Sequence, residues 1–237
     1  MDKPISVLLA GPSGVGKTTI ANFLSQELGI NFVSGSVSDL LPQTKEMAHS
    51  DMLARDSKEL YTEDYKILNI RNKLFAKQEQ PFVSDRSFLD SAAYFLYKQA
   101  DKVPACEIEQ FLELSKMATM QTTDCLILVE YTMDMFENWV IEDNHKRVTN
   151  KFFQMEISRI MSMILDIWGV KWNHCYRTIK ERPETGNLFE KVFGKVIDLG
   201  ESISVGEMKN LYGTTQVIVL REANKELRET ILKSLLK

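Results

Sequence analysis

Residues 11–18 read Gly-Pro-Ser-Gly-Val-Gly-Lys-Thr, a G-x-x-x-x-G-K-T pattern that constrains the chain more than any other stretch. An apolar run at residues 5–9 leads directly into it, and Ile20, Phe23, Leu24 and Leu28 follow at helical spacing. Strand, glycine loop and helix in that order build a phosphate cradle. The glycines let successive backbone N–H groups turn inward, and the helix N-terminus adds partial positive charge at the same point. On this reading Gly11, Ser13, Gly14, Val15, Gly16, Lys17, Thr18 and Thr19 surround the phosphates of a nucleoside triphosphate. Lys17 reaches the β- and γ-phosphates, and the Thr18 hydroxyl ligates Mg²⁺. The alternative is a glycine-rich turn that binds nothing, and the Lys-Thr pair in register behind a strand argues against it.

Composition narrows the partners. A formal charge of −4 over 237 residues speaks against a broad polyanion-binding surface, although a local basic groove stays compatible with it. Cys106, Cys125 and Cys175 are widely spaced and form no C-x-x-C pair, so they read as reduced thiols of a cytoplasmic protein. His49, His145 and His174 are too scattered to make a metal cluster. No stretch approaches the roughly 20 apolar residues that cross a bilayer, and the strand starting by Ile5 leaves no room for a signal peptide.

Further along, residues 30–33 read as a second strand, and the small polar segment 34–39 follows at its carboxyl end, where open parallel sheets hold ligands. Helices are expected at 44–60 and 62–77. Arg71 lies beside the stripe of Tyr65, Leu68, Asn72 and Phe75, either as a solvated helix charge or as a ligand. Residues 81–84 form a short buried strand that runs into Asp85-Arg86-Ser87. Ser87 is placed to cap a helix over 88–100, with Asp90 at its third position. Asp85 thus stands at a strand end near the phosphate loop, where an acid holds Mg²⁺ or accepts a proton. The alternative is a carboxylate that merely caps the turn, and Arg86 following at once argues against it. Glu130, closing the apolar strand 125–130, competes for the same place, and Asp85 is preferred. A helix is expected from Pro104 to about residue 120, and a helical turn at 133–140. The polar segment 141–150 lacks apolar periodicity and precedes a helix from Asn150 to Trp168. It reads as a closing loop carrying Arg147, or as solvated surface. A fifth strand is expected at 176–179, helices at 188–197 and 224–236, and a strand-like run at 217–220.

The glycine loop, the strand-borne Asp85-Arg86-Ser87 and the Arg147 that opens an amphipathic helix together resemble the P-loop nucleoside and nucleotide kinases. Within them the chain is most similar to the ATPase/kinase family that includes the ribosylnicotinamide kinase domain and many phage-encoded kinases. The echoes are Val83-Ser84-Asp85-Arg86-Ser87-Phe88-Leu89-Asp90-Ser91, and Arg147 with Phe152 and Glu156-Ile157. The resemblance covers residues 5–197; the extension 201–237 has no counterpart in it. It implies one domain over 1–237, a three-layer α/β sandwich. Its five-stranded, mostly parallel sheet is flanked by helices and carries lid and acceptor-binding insertions. It also implies ATP and Mg²⁺ as cofactors, with Thr18 and Asp85 at the metal. Arg86 would clamp the acceptor or the transferring phosphoryl, and Arg147 would neutralise transition-state charge. Asp39 and Arg71 would serve as polar acceptor contacts, and Arg182 would sit in the loop bordering the adenine.

The activity implied is phosphoryl transfer to a nucleoside monophosphate or nucleoside, a small-molecule acceptor, with a homodimer left open and no membrane involved. A kinase acting on an end or base within DNA or RNA is a second reading, which the net acidity disfavours. A slow ATP- or GTP-hydrolysing switch is a third. GTP finds no support, because no N-K-x-D motif is present.

Overall fold

The computed structural model describes residues 6–44, 56–138, 150–169, 205–211 and 215–220, the last two segments by their backbone. Strand β1 (Ser6–Ala10) passes through the glycine loop into α1 (Lys17–Leu28), and β2 (Asn31–Phe32) follows. A short helix α2 (Val37–Leu40) and a 3₁₀ turn (Pro42–Thr44) come next, then the long helix α3 (Ser57–Ala76). β3 (Phe82–Ser84), α4 (Phe88–Gln99), α5 (Ala105–Thr122) and β4 (Cys125–Val129) follow in order. α6 (Met133–Asn138), α7 (Lys151–Ile167), β5 (Val205–Leu211) and β6 (Thr215–Leu220) complete the described elements.

β1 and β4 are buried at every position, as expected of parallel strands covered on both faces. Alternation along them assigns their side chains to two cores. Val7, Leu9, Ile127 and Val129 face Ile20 and Leu24 of α1. Leu8, Ala10, Leu126 and Leu128 face the opposite core, formed with α3, α4, α5 and α7. The result is the expected three-layer α/β sandwich.

The sheet runs β2-β3-β1-β4-β6-β5, with five strands parallel and β5 antiparallel to β6 at the edge. The described sheet therefore has six strands where five were expected. The expected run at 217–220 is a strand, and β6 pairs with β4 from Cys125↔Gln216 to Val129↔Leu220. Part of the extension 201–237 thus enters the sheet itself. Its apolar Val217-Ile218-Val219-Leu220 continues the sheet beside β4. The strand expected at 176–179 and the helices expected at 188–197 and 224–236 lie outside the described residues.

The helical boundary expected between residues 60 and 62 does not exist. α3 runs unbroken because no glycine or proline interrupts it, and Asp56 caps its start by accepting from Lys58 N at 2.8 Å. The two caps predicted from the sequence appear where expected. Asn150 accepts from the N–H groups of Phe152 and Phe153 at the start of α7. Ser87 and Asp90 form a reciprocal capping box at the start of α4.

Candidate active site

Strand register places the site. Leu8 of β1 pairs with Ser84 of β3, so Asp85 emerges beside Leu9, just before the chain enters the glycine loop. On the other side Ala10 pairs with Leu128, which brings Val129 against Gly11. A Cβ on Gly11 would stand 2.5 Å from the Val129 carbonyl oxygen, and its φ of 149° is one that side chains rarely adopt. Only glycine lets the loop turn this close to the neighbouring strand.

Lys17 is buried at the first turn of α1. Its Nζ donates to the carbonyls of Gly11 at 2.5 Å and Pro12 at 2.7 Å, and it stands 3.9 Å from Asp90 Oδ1. Burial, and then the neighbouring Arg86, push its ammonium pKa down to about 7, while Asp90 and Asp85 act in the opposite direction. The Thr18 hydroxyl donates to Asp85 Oδ2 at 2.7 Å. Thr19 is exposed, whereas Val15 packs into the core on the α1 side of the sheet.

Arg86 places its Nη1 3.6 Å from Asp90 Oδ1, four residues further along. Asp90 Oδ2 is occupied differently, accepting from Ser87 N at 2.9 Å and Ser87 Oγ at 2.7 Å. One further turn along α4, the Tyr94 hydroxyl meets the backbone of Ser13. Burial, followed by the Asp90 charge and against the pull of Arg86, raises it to about 12. The sequence marks Asp90 only as a cap and does not single out Tyr94. Asp90 and Tyr94 lie four residues apart on one face of α4, and that spacing is the signal that joins them.

On the acceptor side the structure shows what Arg71 meets. Arg71 is only 2% exposed. Its Nη1 donates to Ser87 O at 2.9 Å and to Ser91 Oγ, and its Nη2 donates to Gly35 O at 2.8 Å. Burial lowers its pKa to about 10. Arg71 therefore braces α3 against the segment after β2 and the start of α4 through Nη1 and Nη2, while its Nε has no hydrogen-bond partner among the described residues. The brace needs a tight fit at Gly35, where a Cβ would stand 2.8 Å from Arg86 Cβ. Gly35 N also donates to Asp85 Oδ1 at 3.4 Å. Asp39 is exposed and accepts from Ser34 Oγ and, at 2.7 Å, from Ser36 Oγ. It organises the small serine turn at the carboxyl end of β2.

Glu130, the competitor for the acidic role, accepts from Ser162 Oγ of α7 at 3.1 Å. Arg147 and Arg182 lie outside the described residues. For a divalent cation, the Thr18 hydroxyl and the Asp85 carboxylate supply two oxygens side by side. No group of three or more His, Cys, Asp or Glu able to hold a metal exists among the described residues. A donor set this sparse suits Mg²⁺, which keeps several waters and takes substrate phosphate oxygens as ligands. No described helix is long and apolar enough to cross a membrane.

Over residues 6–182 the chain matches the family described as an AAA domain. No curated protein sequence matches it. Among solved structures it is similar to NadR protein in complex with NAD and AMP-PNP. The identity is 14% and the TM-score 0.43, over 70% of this chain and 42% of that one. It thus spans less than half of the NadR chain. A deoxyadenosine kinase from M. mycoides with bound dCTP is 14% identical at a TM-score of 0.48, over 69% of this chain and 84% of that chain. A shikimate kinase from Acinetobacter baumannii in complex with shikimate is 16% identical at a TM-score of 0.42, over 69% and 77%. At these scores none of the likenesses bears on which acceptor this chain takes.

Proposed function

The chain belongs to the AAA domain family, and from the site it builds there we propose that it transfers the γ-phosphoryl of ATP to a nucleoside monophosphate or nucleoside. The observation that supports this reading is a convergence at the carboxyl ends of β1 and β3. Lys17 and Thr18 from the glycine loop meet Asp85 from the end of β3, and Arg86 stands within reach of the same Asp90 that Lys17 faces. Phosphoryl transfer asks for cations around the migrating group and an acid beside the nucleophile or the metal.

In this reading the acceptor hydroxyl attacks the γ-phosphorus, and the new O–P bond forms. The bond from the γ-phosphorus to the β–γ bridging oxygen breaks, and ADP departs. Lys17 and the loop N–H groups hold the donor phosphates, and Thr18 and Asp85 would hold a Mg²⁺ ion, which would supply charge screening there. Asp85 anchors that ion or takes the hydroxyl proton. Arg86 clamps the acceptor or the moving phosphoryl. By the family resemblance, Arg147 would neutralise developing charge and Arg182 would belong to the loop that borders the adenine.

A screen of purified protein with ATP and Mg²⁺ against each nucleoside and nucleoside monophosphate tests the assignment. A new phosphorylated product with stoichiometric ADP is the expected result. If no nucleoside or monophosphate is phosphorylated, a polynucleotide acceptor or a slow hydrolytic switch takes its place.

A further inference from the structure

Asp90 stands in the site with its two oxygens doing different work. Oδ2 is fully committed to Ser87, accepting from both its N–H and its hydroxyl. Oδ1 is buried and has no hydrogen-bond partner among the described residues. It faces two cations instead, Arg86 Nη1 at 3.6 Å and Lys17 Nζ at 3.9 Å. A capping box needs only one carboxylate oxygen. A second oxygen left buried without a hydrogen bond costs free energy unless charge compensates it. Here both compensating charges come from the residues placed at the phosphates. Arg71 is the third cation in the cluster, and Asp85 is the other acid.

We propose that Asp90 is a positioning residue, the shared counter-ion that holds Lys17 and Arg86 side by side and yields them to phosphate. This rests on the kinase reading given above. Two cations this close repel each other unless an anion lies between them. Asp90 supplies that anion from a rigid place, because its other oxygen is pinned at a helix start. The contacts at 3.6 and 3.9 Å are long for charge-assisted hydrogen bonds, so an incoming phosphoryl oxygen can outcompete them for both cations. The carboxylate therefore opposes binding of the nucleotide while it orients Arg86 for the transfer.

Those two effects have opposite signs, which separates this role from that of a cap. Asp90→Asn keeps a carbonyl oxygen for the Ser87 contacts and removes the charge. It should bind ATP about 3- to 10-fold more tightly by calorimetry, and turn over at least about 10-fold more slowly at saturating substrates. Ser87→Ala, which weakens the cap and leaves the charge, should lower the melting temperature while ATP affinity stays within about 2-fold. Unchanged or weaker ATP binding in Asp90→Asn, measured on protein whose circular dichroism matches the wild type, overturns the proposal. Unchanged turnover beside tighter binding overturns the positioning of Arg86. The binding arm requires no acceptor, so a failure of the kinase assignment would show as absent turnover in the wild type and is read separately.

Discussion

Thr18 and Asp85 are 67 residues apart in the chain, yet the threonine hydroxyl donates to the carboxylate at 2.7 Å. The contact follows from the parallel register of β1 and β3, which brings the end of one strand alongside the loop that leaves the other. If this pair holds Mg²⁺, Thr18→Ala and Asp85→Asn should each lower turnover by about 100-fold or more and raise the Mg²⁺ concentration needed for half-maximal rate. The double variant should lose much less than the product of the two, because both act on one ion. Steady-state rates across a Mg²⁺ titration check this, and additive losses would separate the two residues' roles.

Arg86 distinguishes the acceptor classes. A monophosphate arrives with a charge near −2 and calls for a fixed bidentate partner, which a guanidinium supplies and an ammonium does not. Arg86→Lys should then raise the acceptor KM or lower kcat strongly while the Kd for ATP stays nearly constant. With an uncharged nucleoside the loss should fall mainly on kcat. Kinetics with a nucleoside and its monophosphate side by side reads the difference.

Arg71 should behave as a structural residue. Arg71→Met would leave Gly35 O buried without its donor, at about 1–3 kcal/mol for the unmet group, and would remove one of the donors to Ser87 O. We expect the urea midpoint to fall with an unchanged slope. Arg71→Lys should restore little, since one ammonium cannot reach the acceptors that the planar fork spans. Full rescue by lysine would argue that charge alone is required.

Cys125 and Cys106 should separate cleanly by reactivity. Cys106 is exposed, while Cys125 lies buried in β4, where burial and then Asp124 raise its thiol pKa from 9.0 to about 12. Near neutral pH Cys125 therefore stays in the thiol form, and the thiolate is the form that reacts. Iodoacetamide should label Cys106 within the folded protein and Cys125 only after unfolding, with mass spectrometry locating the adduct. Because the folded pKa lies above the unfolded one, the stability held by the neutral thiol is complete below about pH 9. It should be lost progressively as pH rises toward 12.

What the sequence determined by itself was local. The glycine loop, its strand and its helix are read from residues 5–28, because backbone conformation and capping are set by neighbours a few positions away. The same holds for Ser87 with Asp90 and for Asn150, whose side chains meet N–H groups within the next turn. Asp85 at a strand end was legible for the same reason. The tertiary structure decided what each long polar side chain meets. Nothing near Arg71 in the chain announces that Gly35 and Ser87 would bring carbonyls to it, so the sequence leaves it as a helix charge or an acceptor contact, and only the fold shows these partners. Asp90 reads as a cap, and only the approach of α1 to α4 adds Lys17 to its second oxygen. The sixth strand belongs with these. Pairing along β4 is a choice between distant segments, and no periodicity within 205–220 says which edge they join.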